Sequence, residues 1–162
     1  VRERSSSQTF ITASGGSAYY FASLMDLLGK GKVITIDIND FPRPQHERIT
    51  YMLGSSVDPE MFARITAMIA PGDTVMVVLD SDHSKGHVLK EMALYGPLVS
   101  VGSYMTVEDS NQNGHPVSPY SGPGPMEAIE EFLPGNRNFV VDEACEKFYL
   151  TFNPKGYLKK IA

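Results

Sequence analysis

Acidic residues collect where two apolar, β-branched runs end. Asp80-Ser81-Asp82-His83 follows Thr74–Leu79 (TVMVVL), and Glu108-Asp109 follows a run that ends at Val107. Neighbouring parallel strands lie about 4.8 Å apart, so Asp80, Glu108 and Asp109 converge on one point if these runs are neighbours. Three carboxylates with no basic residue beside them in sequence repel each other unless a cation neutralises them. Oxygen-only donors favour Mg²⁺, Mn²⁺ or Ca²⁺ over zinc. The plainer reading is that Asp82 or Ser84 caps a helix and Glu108-Asp109 opens a solvated loop. Capping explains one acid, not three. His83 stands beside this group, and an imidazole that titrates near neutrality suits removal of a proton from a substrate hydroxyl. An exposed structural histidine is the competing reading.

A second set of residues suits a nucleoside. Ser14-Gly15-Gly16-Ser17 precedes a helix-like stretch, where glycines admit a ligand close to the backbone and a helix N-terminus offers free N–H groups. Asp37 lies 21 residues beyond Gly16, at the end of the run KVITIDI. An acid at that distance suits hydrogen bonding to both ribose hydroxyls. Gly54-Ser55-Ser56 follows the next strand-like run, and either lines an adenine pocket or turns the chain towards Asp58. A plain turn at the glycines and a loop or capping role for Asp37 compete with the nucleoside reading. His115 lies in a long loop suited to covering the site, whereas His46 and His87 have no such context and read as solvated.

The elements that must position these residues alternate along the chain. Residues 9–13 read as a short strand. A helix opens at Gly15-Gly16-Ser17 with Ala18, Phe21, Ala22, Met25 and Leu28 on one face, and Gly29 and Gly31 stop it. Residues 32–38 and 48–53 read as strands, the first as a buried parallel one. Asp58-Pro59-Glu60 is a helix start with a capping acid and proline at the first position, burying Phe62, Ile65 and Ile69 before Pro71-Gly72. Thr74–Leu79 is the central strand, residues 84–95 a helix with Val88, Leu89, Met92 and Tyr95 inward, and residues 99–107 the next strand. Residues 111–125 form a long loop rich in Asn, Gly, Pro and Ser, of a length usually tied to function or mobility. A short helix over 126–133 precedes Phe139–Val141 and residues 148–152, which the missing helix between them predicts to be an antiparallel pair. The order implies an α/β fold with a doubly wound, mostly parallel sheet and one antiparallel strand near the C-terminus. Such sheets hold ligands at the carboxyl ends of their strands, where both sets of residues fall.

A chain of 162 residues, 42% hydrophobic and 20% charged, fits one domain, 1–162, with its polar first eight residues expected to fray. A net charge of −5 gives no pull towards nucleic acid or an anionic membrane, so neither is an expected partner. The basic tail at Lys155, Lys159 and Lys160 reads as a solvated face. The lone Cys145 excludes an intrachain disulfide, fits a reducing, cytoplasmic compartment and reads as a packing residue. No apolar run approaches the ~18 residues of a membrane span, and no charged-then-apolar leader opens the chain.

Taken in order, several runs resemble one family. They are Gly15-Gly16-Ser17, ITIDI around Asp37, RPQHERITYMLGSS (43–56), LDSDHS (79–84), YMTVEDSNQNGHPV (104–117), GPGPMEAIEEFL (122–133) and EKFYLTFNPKGYLKK (146–160). They are similar to the family named for cephalosporin hydroxylase, which includes rhamnosyl O-methyltransferases. The resemblance implies a Rossmann-like fold that binds S-adenosylmethionine, with Mg²⁺ in many members. It implies that Asp80, Glu108 and Asp109 are metal ligands, with Asp82 as an alternative. The 28 residues from Asp80 to Glu108 also resemble the spacing in catechol-type O-methyltransferases. Gly15, Gly16, Ser17, Asp37, Ser55, Ser56 and Asp80 are then the expected cofactor-binding residues. Members usually carry an E-x-G-x-x-x-G-G-S pattern and a longer N-terminal region. Here Thr9 and Ile11 stand where the glutamate and the first glycine would be.

The expected activity is methyl transfer to a hydroxyl of a small molecule, a sugar or natural product. The metal would bind and acidify the acceptor oxygen, His83 would take the proton, and the 111–125 loop would act as a lid. The alternative, drawn from the Thr9 and Ile11 departure, is a weakened or inactive member that binds cofactor or forms oligomers. A homo-oligomer is expected if an incomplete first strand leaves apolar surface to cover. A hydroxylase would need a redox metal, and the usual two-histidine, one-carboxylate set is not evident.

Overall fold

The structure, a computed structural model, describes the backbone of residues 6–11 and, in full, residues 15–148 and 150–162. Its elements are β1 (Ser6–Ile11), α1 (Gly16–Leu28), β2 (Lys32–Asp37), β3 (Ile49–Leu53), α2 (Pro59–Met68) and β4 (Thr74–Leu79), followed by α3 (Lys85–Tyr95), β5 (Tyr104–Val107), α4 (Pro125–Gly135), β6 (Phe139–Val141) and β7 (Tyr157–Lys160). The strands form one sheet in the order β3-β2-β1-β4-β5-β7-β6. Neighbours from β3 to β5 are parallel, while β7 runs antiparallel to both β5 and β6. The reversed strand expected near the C-terminus is therefore β7.

Side-chain alternation at period two explains why helices cover both faces. Ile34, Ile36, Val75, Val77, Leu79, Met105 and Val107 join Met61 and Ile65 of α2, Val88 and Met92 of α3, and Ile129 of α4 in one core. The odd partners Val33 and Val78 turn to the other face, against Ala18 and Ala22 of α1. Small residues at these two α1 positions let the helix lie close to the sheet. Local signals set the helix ends. Gly29 ends α1 at φ 69 with its N–H on the Asp26 and Met25 carbonyls. The Asp58 carboxylate accepts from the N–H groups of Glu60 and Met61 ahead of Pro59.

Two expected strands differ. The strand expected over 99–107 is confined to Tyr104–Val107, because residues 100–103 turn: Ser103 N–H donates to Ser100 O at 2.8 Å and Gly102 takes φ 85. The partner of β6 is not the run at 148–152 but β7. Phe148, Leu150 and Phe152 are 80%, 88% and 71% exposed, whereas Leu158 is fully buried between Met105 and Val141. Aromatic, β-prone residues favour a strand, yet pairing and burial decide where one forms. Of the opening residues expected to fray, 1–5 lie outside the described residues and Ser6, Ser7 and Gln8 belong to β1. Cys145 is exposed, not packed in the core, and burial of its sulfur followed by the Asp142 charge raises its pKa. Lys155 and Lys160 are engaged: Lys155 pairs with Glu130 at 2.9 Å, and Lys160 donates to the Gly96 and Pro97 carbonyls. No helix among the described residues is long and apolar enough to cross a membrane.

Candidate active site

Leu79 and Val107 are register partners, so β4 and β5 end level with each other and the Glu108 N–H donates to Leu79 O at 2.9 Å. Asp109 takes φ 56, a left-handed conformation uncommon for a residue with a Cβ. Its N–H is held by the Asn153 side chain at 2.9 Å. Asp80, His83 and Asp109 each offer a ligand atom, and these atoms lie within 4.8 Å of one another. His83 Nε2 stands 3.4 Å from Asp80 Oδ1 and 3.5 Å from Asp109 Oδ2. It is buried with no hydrogen-bond partner among the described residues. The Asp80 carboxylate beside it, outweighing burial, raises the imidazole pKa above its ordinary value. Glu108 sits alongside but outside the close cluster. Burial, then the Asp80 and Asp109 charges, push its carboxyl up to about 7. Two carboxylates and an imidazole nitrogen in this arrangement fit a divalent cation, which would offset the repulsion that loads Glu108. Of the three carboxylates expected from sequence, the structure brings Asp80 and Asp109 together with His83 and leaves Glu108 outside the group. The Asp80–His83 spacing of three residues was the available signal.

A cleft of about 290 Å³ opens beside this cluster, at the ends of β2, β3 and β4. Asp37, Ser55, Ser56 and Asp80 line it, together with Asn39 and His87. Asp80 therefore belongs to both the cleft and the acidic cluster. Gly15, Gly16 and Ser17 open α1 but do not line the cleft, and Ser14 lies outside the described residues. Gly15 has a φ of 73°, and a Cβ there would come within 2.9 Å of the Tyr51 hydroxyl.

His87, read from sequence as solvated, anchors the cleft wall instead. Its Nε2 lies 3.0 Å from Ser56 Oγ and 3.3 Å from Glu91, a fully buried carboxylate that accepts from Ser81 Oγ at 2.7 Å. Tyr95 donates to Ser56 O at 2.6 Å. His87, Glu91 and Tyr95 follow one another at four-residue spacing and so share a face of α3. Burial raises the pKa of both Glu91 and Tyr95. A carboxylate at helical spacing between a histidine and a tyrosine was the sequence signal that composition alone obscured. His46 is also bound, to Asp26 at 3.0 Å.

The loop after β5 is tied down next to the acids. The Gln112 amide nitrogen lies 3.0 Å from His83 Nδ1 and 3.3 Å from Asp109 Oδ2. Glu127, in the first turn of α4, accepts from Asn113 at 2.9 Å and from Gly124 N–H at 2.7 Å, and meets His115 Nε2 at 2.8 Å. Burial raises the Glu127 pKa, but these hydrogen bonds outweigh it and hold the carboxyl at about 2. A wider cleft of about 680 Å³ is lined by His115, Glu146 and Thr151.

The model of the family described as Rhamnosyl O-methyltransferase/CmcI matches residues 9–161. The chain belongs to the Rhamnosyl O-methyltransferase/CmcI family. The rhamnosyl O-methyltransferase of Mycobacterium tuberculosis (strain ATCC 25618 / H37Rv) is 44% identical over 158 residues, covering 92% of this chain and 64% of that protein. Its counterpart in Mycobacterium leprae (strain TN) is 41% identical over 154 residues, covering 89% and 66%. This family member thus spans just under two thirds of the length of these curated relatives. Among solved structures it is similar to "cmcI-D160 Mg-SAM", with a TM-score of 0.70 and 20% identity over 98% of this chain and 66% of that one. It is also similar to the MycE methyltransferase of the mycinamycin pathway, solved with Mg, SAH and mycinamycin VI. The TM-score there is 0.60 at 20% identity, over 86% of this chain and 42% of that one. These two likenesses are of fold.

Proposed function

We propose that this chain carries the catalytic site of an S-adenosylmethionine-dependent O-methyltransferase that acts on a hydroxyl of a small molecule, a sugar or natural product. The observation that carries the reading is the shared position of Asp80: it lines the nucleoside-sized cleft and lies within ligand distance of His83 and Asp109. The relatives named rhamnosyl O-methyltransferase, and fold neighbours solved with Mg and SAM or SAH, support it.

Asp37 would take the ribose hydroxyls with its carboxylate, and Ser55 and Ser56 would line the base. The α1 N-terminus at Gly15, Gly16 and Ser17 would face the remaining end of the cofactor with its free N–H groups. Asp80 and Asp109 would hold Mg²⁺, with Glu108 completing the donor set and His83 left free as the base. A bound divalent cation supplies Lewis acidity that lowers the pKa of an acceptor hydroxyl. S-adenosylmethionine, when bound, would supply the methyl group for that oxygen, and the hydroxyl proton would have to be removed. His83 would take this proton at Nε2. That places the proton of the neutral ring on Nδ1, where Gln112 would present its side-chain carbonyl in place of the amide nitrogen that lies 3.0 Å away. The cleft lined by His115 would receive the rest of the acceptor, and the Glu127-anchored loop would exclude water.

Calorimetry of S-adenosylmethionine binding with and without Mg²⁺, followed by transfer of labelled methyl to sugar hydroxyl acceptors, tests the reading. Binding with Mg²⁺-dependent transfer, abolished in Asp109→Asn, is expected. Binding without transfer under any metal condition would leave a cofactor-binding protein, and no binding by the folded chain would remove the nucleoside site as well.

A further inference from the structure

We propose that Arg43 is a positioning residue for the nucleoside site: by approaching the buried Oδ2 of Asp37 it holds this carboxylate in the orientation that a vicinal diol in the cleft would meet. This deepens the function proposed above and rests on its nucleoside reading. Asp37 ends β2 and lines the cleft. Its Oδ1 is occupied by the Asn39 N–H at 2.9 Å, whereas Oδ2 is buried and accepts no hydrogen bond among the described residues. A shielded carboxylate oxygen without a donor is costly unless a cation lies near and a ligand completes it. The cation is Arg43, whose Nη2 approaches Oδ2 to 3.3 Å, with the two side chains 7% and 11% exposed.

Arg43 is itself held in place by the loop after β2 and by Tyr51. Its Nη2 donates to the Asn39 carbonyl. Its guanidinium lies over the Tyr51 ring, 5.4 Å from the centroid. Tyr51 in turn donates to Pro44 O at 2.8 Å. The same loop residue, Asn39, thus bonds the acid through its N–H and the arginine through its C=O. Arg43 pairs with no other carboxylate among the described residues, and it does not line the cleft. Its charge and planar shape act on the ligand only through Asp37. A lysine would keep the charge but lose the stack on Tyr51 and the fork that reaches Asn39.

The test compares two ligands on the full chain by calorimetry: S-adenosylhomocysteine and its 2′,3′-dideoxy counterpart. The unsubstituted chain is expected to bind the diol form at least about tenfold tighter, the size of hydrogen bonds to a charged acceptor. In Arg43→Met this gap is expected to shrink to about threefold or less, with affinity for the dideoxy ligand unchanged. Loss of both affinities in equal measure would show a structural role and overturn the proposal, as would a full gap in Arg43→Met. If Arg43→Met does not fold, Arg43→Lys carries the test, and an undiminished gap there overturns it. Asp37→Asn separates this proposal from the reading beneath it. A gap that survives Asp37→Asn removes the nucleoside assignment itself, whereas a gap lost in Asp37→Asn but kept in Arg43→Met removes only the role of Arg43.

Discussion

His83 touches both carboxylates of the acidic cluster but does not line the cleft, which separates its contribution from cofactor binding. His83→Gln is therefore expected to lower kcat by about 10²–10⁴, the range for loss of a positioned acid or base. Its affinity for S-adenosylmethionine should change far less than kcat, because Asp80 is the one carboxylate it pairs with that also lines the cleft. Steady-state kinetics beside calorimetry checks the split, and equal losses in both would place His83 in cofactor binding instead. At this scale the sequence was informative where chemistry and chain position coincide. Asp80 and Asp109 follow neighbouring strands, so that they lie close together was readable from strand spacing, whereas the place of His83 in the group and of Glu108 outside it was not. His87 was not readable: its role depends on which loop α3 packs against, and Ser56 lies 31 residues away.

The loop between β5 and α4 is ordered by one carboxylate. Glu127 collects Asn113, His115 and the Gly124 N–H, so a residue of the helix fixes the loop that crosses the acids. Its carboxyl is held at about 2 against an ordinary 4.5, which makes the contribution to stability pH-dependent. The unfolded chain takes up the proton first as pH falls. The stabilisation is thus full above about 4.5, declines between 4.5 and 2, and is absent below. The thermal midpoint of the unsubstituted chain should exceed that of Glu127→Gln at pH 6, and the difference should close as pH approaches 2. A difference that stays constant across this window would mean that the carboxylate is not engaged as described. The helix ends were legible at this scale because capping is local: Asp58-Pro59 and Gly29 act within a turn of themselves. The anchoring of the loop was not, because Glu127 meets His115 across twelve residues of irregular chain.

Across the whole molecule, the parallel part of the sheet follows from alternation of apolar runs and helices, while the edge beyond β5 depends on a choice between two C-terminal segments. The run Phe148 to Phe152 carries more aromatic and β-branched character, yet Tyr157–Lys160 enters the sheet. The Asn153 to Gly156 turn, closed by the Gly156 N–H on Asn153 O at 2.9 Å, returns the chain alongside β5. It also places the Asn153 side chain on the Asp109 N–H, so closing the sheet and shaping the acidic cluster are one event. That coupling is long-range, and neither hydropathy nor propensity records it. Burial turns it into a measurable contrast. Leu158→Ala removes a fully buried side chain that joins β5, β6 and the core, and is expected to cost about 2–5 kcal/mol. Leu150→Ala changes a side chain that is 88% exposed and should stay within about 0.5 kcal/mol of the unsubstituted chain. Urea denaturation of both variants decides which segment belongs to the sheet. The reverse order of costs would restore 148–152 as the partner of β6 and detach Asn153 from its place beside Asp109.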